Sequence, residues 1–317
     1  MAILFITSTH IGDAILSTGV LDHLHKRYPN DGVTIACGAP AAKVLRAAPN
    51  LEALHVVRKQ KNHRHWWELW KKIAGKRWRV VVDLRRSAMP WVLWAGARYT
   101  IPKDRAGLHR VALNAATLGS PPLDPVVWTE PADALEADRA LAGARRPIAL
   151  APGANWRGKI WPTENFADLA RRLRAADGLA AGADLALIGA EGEREAGRAV
   201  FEQGGGGRIV DGFGLDVLAT FELLKRCSLM VGNDSAMMHL AAAAGIPTIG
   251  LFGPTKDDQY GPWGPNGFVV RTPESVSELV DWDGYDTTTT DTMMGNLTVD
   301  SVLERIRDLA ERRVFVP

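Results

Sequence analysis

The stretch that most limits what this chain can fold into is residues 230–255, MVGNDSAMMHLAAAAGIPTIGLFGPT. It reads as strand, polar turn, helix, strand and loop. Residues 228–231 are short and apolar, and Gly232, Asn233 and Asp234 form a polar turn at the carboxyl end of that strand. Ser235 stands where its hydroxyl can cap the helix that follows by accepting a backbone N–H. Residues 236–244 are small and helix-favouring, Gly245 stops the helix, and Pro247 opens the next strand. A strand, a helix and a second strand at this spacing imply a parallel pair with a crossover. Polar groups at the carboxyl end of such a strand, beside a helix amino terminus, suit an anion.

The rest of the chain repeats the alternation. Strands are expected near 3–7, 33–37, 53–57 and 79–84, with helices near 14–28, 40–47, 63–75 and 87–97 and a further strand at 99–102. Residues 120–146 are rich in proline and hold a short helix at 132–142, so the domain junction is placed there, giving domains 1–146 and 147–317. In the second domain, strands are expected at 148–151, 184–188 and 208–210. Helices are expected at 163–176, with Thr163 as its cap, and at 215–225. Residues 284–296 read as a loop, and 299–312 as a final amphipathic helix that could pack back on the first domain. The fold class is therefore α/β, with two parallel-sheet domains of similar size and a ligand cleft expected between their strand carboxyl ends.

The chain has 317 residues and 46% apolar content, enough for two cores. Cys37 and Cys227 are isolated, which excludes a disulfide framework and fits a reducing compartment. The start, MAILFITSTHIGD, lacks the form of a signal peptide, and no apolar run approaches the ~20 residues of a membrane span. A cytoplasmic protein is expected, one that can also lie on the inner face of a membrane. Net charge is +2 but unevenly placed: residues 1–146 hold 22 Lys/Arg against 12 Asp/Glu, and residues 147–317 hold 16 against 24. The first domain is thus expected to meet something anionic.

Several residues could carry chemistry. Asp13 follows Gly12 after the first strand and is either the cap of the first helix or a general base on an acceptor hydroxyl. Lys159, in the loop that starts Pro152-Gly153-Ala154-Asn155, is either a solvated loop residue or a phosphate ligand. Asp234, Ser235 and His239 share one helix face, His239 one turn beyond Ser235. Glu191 and Glu193 end a strand, either as acids favourable to a helix start or as ribose ligands. Residues 58–110 hold 15 Lys/Arg against three acids, with six Trp, and include Arg64, Arg85 and Arg86. This segment is either a solvated basic face over buried aromatics or a docking surface for an anionic, amphiphilic acceptor at a membrane. No nucleic-acid motif supports the other anionic partner. Asp281-Trp282-Asp283 and His63-x-His65 are set aside as metal sites, and no phosphate-binding loop of the NTPase type or nucleophile elbow is present.

Three stretches, in order, resemble glycosyltransferase family 9, the ADP-heptose:lipopolysaccharide heptosyltransferases. They are Gly12-Asp13-Ala14-Ile15-Leu16-Ser17-Thr18; Pro152-Gly153-Ala154-Asn155 with Lys159-Ile160-Trp161-Pro162; and Val231-Gly232-Asn233-Asp234-Ser235-Ala236-Met237-Met238-His239 with Leu251-Phe252-Gly253-Pro254-Thr255. Asp83-Leu84-Arg85-Arg86-Ser87 adds a fourth. The resemblance implies a GT-B fold and an inverting transfer that needs no metal or other cofactor. It implies Asp13 as general base and Lys159 on the diphosphate leaving group. The nucleotide-sugar, expected to be ADP-heptose, would meet Gly153, Asn155, Asp234, Ser235, Ala236, Met237 and His239, with Glu193, or as second choice Glu191, at the ribose. Gly12, Arg64, Arg85 and Arg86 would meet a lipopolysaccharide core or another lipid-linked saccharide. The chain departs from the family in carrying Ala236 where Gly is frequent, and in lacking a Ser or Thr near Asn155. Two other functions compete: a sugar-nucleotide epimerase of similar shape, and a non-catalytic nucleotide-sugar-binding protein.

Overall fold

The computed structural model describes residues 1–316 except 104–106, 284 and 287–290, so part of the loop expected at 284–296 lies outside the described residues. The chain forms two compact units, Met1–Glu130 and Pro131–Pro317. The division falls inside the proline-rich stretch. The helix Pro131–Leu141 goes with the second unit, where Asp138 pairs with Arg226 at 2.9 Å.

In the first unit the strands are β1 (Ala2–Ile6), β2 (Gly32–Cys37), β3 (Leu51–Val56), β4 (Trp78–Asp83) and β5 (Ala95–Thr100). They form one parallel sheet in the order β3-β2-β1-β4-β5. Every residue of β1 is buried, as expected of a central parallel strand covered by helices on both faces. The helices are α1 (Ile11–Ile15), α2 (Thr18–Arg27), α3 (Ala39–Leu45), α4 (Arg64–Ile73), α5 (Met89–Val92) and α6 (Arg110–Ala116).

Three local expectations change here. The single helix at 14–28 is two helices, and the first begins three residues early, with His10 at its cap position. The break is chemical: Ser17 Oγ donates to Ala14 O at 2.8 Å and Thr18 Oγ1 donates to Ile15 O at 2.7 Å, each hydroxyl taking a carbonyl of the preceding turn. The helix expected at 87–97 is one turn, and residues 95–100 are strand. Small residues there suit a helix by propensity, but pairing of Ala95 with Trp78 and of Thr100 with Asp83 overrides it. Finally, α6 was not anticipated. Its start is closed by His109 Nδ1 accepting from Val111 N–H at 3.2 Å, and its Asn114 donates to Leu16 O at 2.9 Å.

The second unit holds β6 (Ile148–Ala151), β7 (Leu185–Gly189), β8 (Ile209–Phe213), β9 (Leu229–Asn233), β10 (Thr248–Phe252) and β11 (Gly267–Arg271). All are parallel, in the order β11-β10-β9-β6-β7-β8. Its helices are α7 (Pro131–Leu141), α8 (Thr163–Arg174), α9 (Arg198–Gln203), α10 (Val217–Leu224), α11 (Ala236–Ala243), α12 (Asp257–Tyr260), α13 (Val276–Val280) and α14 (Val299–Glu311). Pro162, not Thr163, occupies the cap position of α8. The amphipathic α14 belongs to this unit's core. Val302, Ile306 and Leu309 are buried with Phe166, Leu169 and Leu173 of α8. Gly232 and Asn233, expected in a turn, end β9, and a Cβ at Gly232 would stand 2.7 Å from that of Ala151 on the neighbouring strand.

Candidate active site

In the second unit the crossovers run β6 to β7 to β8 in one direction across the sheet and β9 to β10 to β11 in the other. The switch point lies between β6 and β9, where an open α/β sheet leaves a crevice at its strand carboxyl ends. The loop after β6 and the start of α11 both emerge there. Asn233, fully buried, clips them together: its Nδ2 donates to Pro152 O at 2.8 Å and its Oδ1 accepts from Trp161 N–H at 3.1 Å. Trp161 is buried against Phe166 and donates from Nε1 to Leu297 O at 2.7 Å. The loop between these anchors therefore holds its one-turn segment Arg157–Lys159 in a fixed place.

That fixed place brings Lys159 Nζ to 3.3 Å from Asp234 Oδ2, with side chains only 13% and 9% exposed. A cation and the amino end of α11 so converge beside one carboxylate. Ser235 holds the backbone cap position of α11, but its hydroxyl makes no capping hydrogen bond, contrary to expectation, and its buried Oγ lacks a partner. Thr255 Oγ1, past the end of the next strand, is likewise buried without one. Buried hydroxyls without partners are uncommon and cost free energy unless a ligand supplies the bond. Ala236 and Met237 are half-buried in the first turn of α11, and His239 is buried one turn on.

Glu193 joins this group. Its carboxylate accepts from Ala190 N–H at 2.9 Å. It also lies against Gly153, where a Cβ would come within 2.5 Å of the Glu193 carboxyl carbon. Gly153 is thus the residue that lets the β6 and β7 loops close on each other. Glu191, the second choice, points elsewhere: it pairs through both oxygens with Arg194, each at 2.7 Å, which also reaches Asp211. Asn155 is exposed and stands apart from the Lys159–Asp234 pair in its burial.

In the first unit the switch point lies between β1 and β4. The loop after β1 leads into α1, and Asp13 lies inside that helix, not at its cap. Its carboxylate receives Ser8 Oγ at 3.3 Å and faces Arg110 Nε at 3.4 Å. Gly12 precedes it, half-buried in the same turn. After β4, buried Asp83 organises the turn that presents the arginines. It accepts from the N–H groups of Arg85 at 2.8 Å and Ser87 at 2.6 Å, and from Ser87 Oγ at 2.7 Å. Burial pushes its carboxyl above the usual range, against the pull of these donors and of Arg85. Arg85 lies 5.2 Å from the Trp66 ring centroid on α4. Arg86, with φ 55°, and Arg64 at the start of α4 are both exposed. Burial and the nearby Arg85 hold the His65 imidazole below its ordinary value.

Asn233 and Arg110 are the two residues that sequence reasoning left without a role. Asn233 stood inside the third motif but was placed in a polar turn, so its burial at a strand end was not foreseen. Arg110 is 97 positions from Asp13 and on an unanticipated helix, so nothing local pointed to it. Among the described residues, no three His, Cys, Asp or Glu side chains gather as a metal site.

The sequence signature described as Glycosyltransferase family 9 (heptosyltransferase) matches residues 85–281, well over half of the chain. The chain belongs to glycosyltransferase family 9. Lipooligosaccharide heptosyltransferase 2 of Haemophilus influenzae is 30% identical over 162 residues, 48% of this chain and 45% of that protein. Lipopolysaccharide heptosyltransferase 2 of Escherichia coli is 32% identical over 138 residues, 41% of this chain and 38% of that one. The chain therefore spans less than half the length of these curated relatives in the matched region. Among solved structures, a family 9 glycosyl transferase from Veillonella parvula superposes with a TM-score of 0.78 at 20% identity, covering 98% of this chain and 97% of that one. The E. coli ADP-heptose lps heptosyltransferase II does so with 0.73 at 21% identity and 99% of both chains. A third, an E. coli heptosyltransferase with ADP, gives 0.68 at 18% identity over 97% and 99%. These likenesses show the fold, which is GT-B, built of two parallel α/β units. In this family 9 chain the match begins at Arg85 and ends at Asp281, so it includes the loop after β6 and the whole of the β9–α11–β10 segment.

Proposed function

We propose that this family 9 chain is an inverting, metal-independent heptosyltransferase, taking the sugar from ADP-heptose and placing it on a lipopolysaccharide-core or other lipid-linked saccharide. The observation that carries the reading is the Lys159–Asp234 pair at the amino end of α11, set beside a buried hydroxyl that lacks a partner, at the switch point of the second unit. Positive charge, free backbone N–H groups and an open hydroxyl are what a diphosphate needs. Two similar structures, one of an ADP-heptose lps heptosyltransferase and one of a heptosyltransferase with ADP, support the nucleotide.

The chemistry divides between the units. In the first, Asp13 accepts the proton of an acceptor hydroxyl, and that oxygen bonds to the anomeric carbon. In the second, the carbon–oxygen bond to the diphosphate breaks and its electrons leave with the nucleotide diphosphate. Lys159 and the α11 dipole stabilise the charge that develops there. Attack opposite the leaving group inverts the anomeric centre. Glu193 accepts from the ribose hydroxyls, since Glu191 is committed to Arg194. Gly153, Asn155, Ser235, Ala236, Met237 and His239 line the donor side. Gly12, Arg64, Arg85 and Arg86 receive the anionic saccharide. No described helix is long and apolar enough to cross a membrane, and the reading places the protein at the inner face of the cytoplasmic membrane, held peripherally.

A thermal-shift panel of ADP, UDP and GDP tests the donor assignment, because a ligand bound only by the folded state raises apparent stability. ADP should raise the melting temperature most; an equal or larger shift with UDP or GDP contradicts it.

A further inference from the structure

The first unit carries a surface that the transfer chemistry does not use. Leu69 and Ile73 of α4 and Met89 and Leu93 around α5 enter one buried cluster over β1 and β4, so the two helices lie side by side on one face of the sheet. What they turn outward is aromatic. Trp67 is 56% exposed, Trp91 72%, Val92 53% and Trp94 65%. The groups are connected. Trp67 stacks on Trp70 at 4.8 Å, Trp70 Nε1 donates to Val92 O at 3.3 Å, and Trp94 O accepts from Trp78 N–H at 2.9 Å. Arg98 pins the turn between them, donating to Pro90 O at 2.7 Å and Leu93 O at 3.1 Å. The indoles of Trp91 and Trp94 are therefore held outward by the backbone beneath them.

The rim is cationic. Lys71 lies 5.5 Å from the Trp67 centroid and the Arg77 guanidinium 3.9 Å from that of Trp94, while Lys72 and Lys76 are exposed beside them. Among the described residues, the acids that stand against this charge are Glu52, which pairs with Lys76 at 3.3 Å, and Glu68, which receives Gln60 at 2.9 Å. Exposed aromatic patches of this kind mark interaction surfaces. Protein interfaces are depleted in lysine, whereas lysines around tryptophans match anionic headgroups over an acyl boundary.

We propose that this face docks on an anionic phospholipid bilayer, with Trp67, Trp91 and Trp94 at headgroup level and Lys71, Lys72 and Arg77 against lipid phosphates. The purpose of this face rests on the proposed lipid-linked acceptor; the binding itself does not.

The test uses the full chain without donor or acceptor, in co-sedimentation with vesicles of phosphatidylethanolamine and phosphatidylglycerol, compared with phosphatidylcholine alone. Binding should favour the anionic vesicles and weaken as salt rises from about 0.05 to 0.5 M. Trp91→Ser/Trp94→Ser should lower partitioning roughly tenfold or more, and Lys71→Glu/Arg77→Glu should remove the preference for anionic lipid. Both variants should keep the ADP thermal shift of the parent, which separates this inference from the donor assignment. Unchanged vesicle binding in the tryptophan variant, or equal binding to neutral vesicles, overturns the proposal. So does a concentration-dependent dimer in light scattering that the tryptophan variant abolishes, since a second copy then covers the face.

Discussion

Replacing Asn233 with Ala should damage stability and donor binding together. Asn233 is fully buried and holds two backbone groups, the Pro152 carbonyl and the Trp161 N–H. The truncation leaves both without a partner. A buried polar group so orphaned costs about 1–3 kcal/mol, so the pair sums to roughly 2–6 kcal/mol. For a unit of this size about 2–4 °C of melting temperature is lost per kcal/mol, which puts the expected drop on the order of 10 °C. Asn155→Ala, in the same loop but exposed, should shift stability by less than about 0.5 kcal/mol. The clip also fixes the loop that carries Lys159, so ADP affinity should fall in the same variant. Differential scanning calorimetry and ADP titration read the two effects. A melting temperature within about 2 °C of the parent, a fraction of that expected drop, together with unchanged ADP affinity, would refute the clip.

Lys159→Ala should weaken donor diphosphate binding by roughly 10- to 100-fold, the scale of one charge-assisted hydrogen bond, because Asp234 then faces the phosphates without its cation; unchanged affinity in titration calorimetry contradicts the assignment. Cys37 and Cys227 should resist thiol reagents in the folded protein. Burial pushes both thiols up to about 12, so the thiolate is roughly one part in ten thousand at pH 8 and grows only as pH rises toward that value. Rapid stoichiometric labelling of the native chain at pH 8 is the contrary result.

Much of the site was legible because it sits in continuous motifs. A strand end, a capping position and a run of small residues already describe β9 and α11, and the parallel arrangement follows from alternation alone. The order of the strands was not legible. That β6 lies against β9 depends on pairings across about 80 positions, and it is this pairing that places Lys159 beside Asp234. The errors differ in kind. Ser17 and Thr18 split a helix by local side-chain bonds to carbonyls of the preceding turn. Ala95–Thr100 became strand through pairing with β4, a local propensity overridden by a contact made elsewhere. Ser235 holds the cap position but leaves its cap bond unmade. Arg110, which faces Asp13, was missed because its helix gave no periodic signal of its own.

The central claim is that Asp13 and the Lys159–Asp234 site carry out one sugar transfer. Incubating the full chain with ADP-heptose and a heptose-deficient lipopolysaccharide core, while following ADP release and acceptor mass together, tests it most directly. The expected result is one added heptose per acceptor, ADP release that requires acceptor, and loss of both in Asp13→Ala with ADP binding retained. Full transfer by Asp13→Ala, or nucleotide consumption with the acceptor mass unchanged, would contradict it.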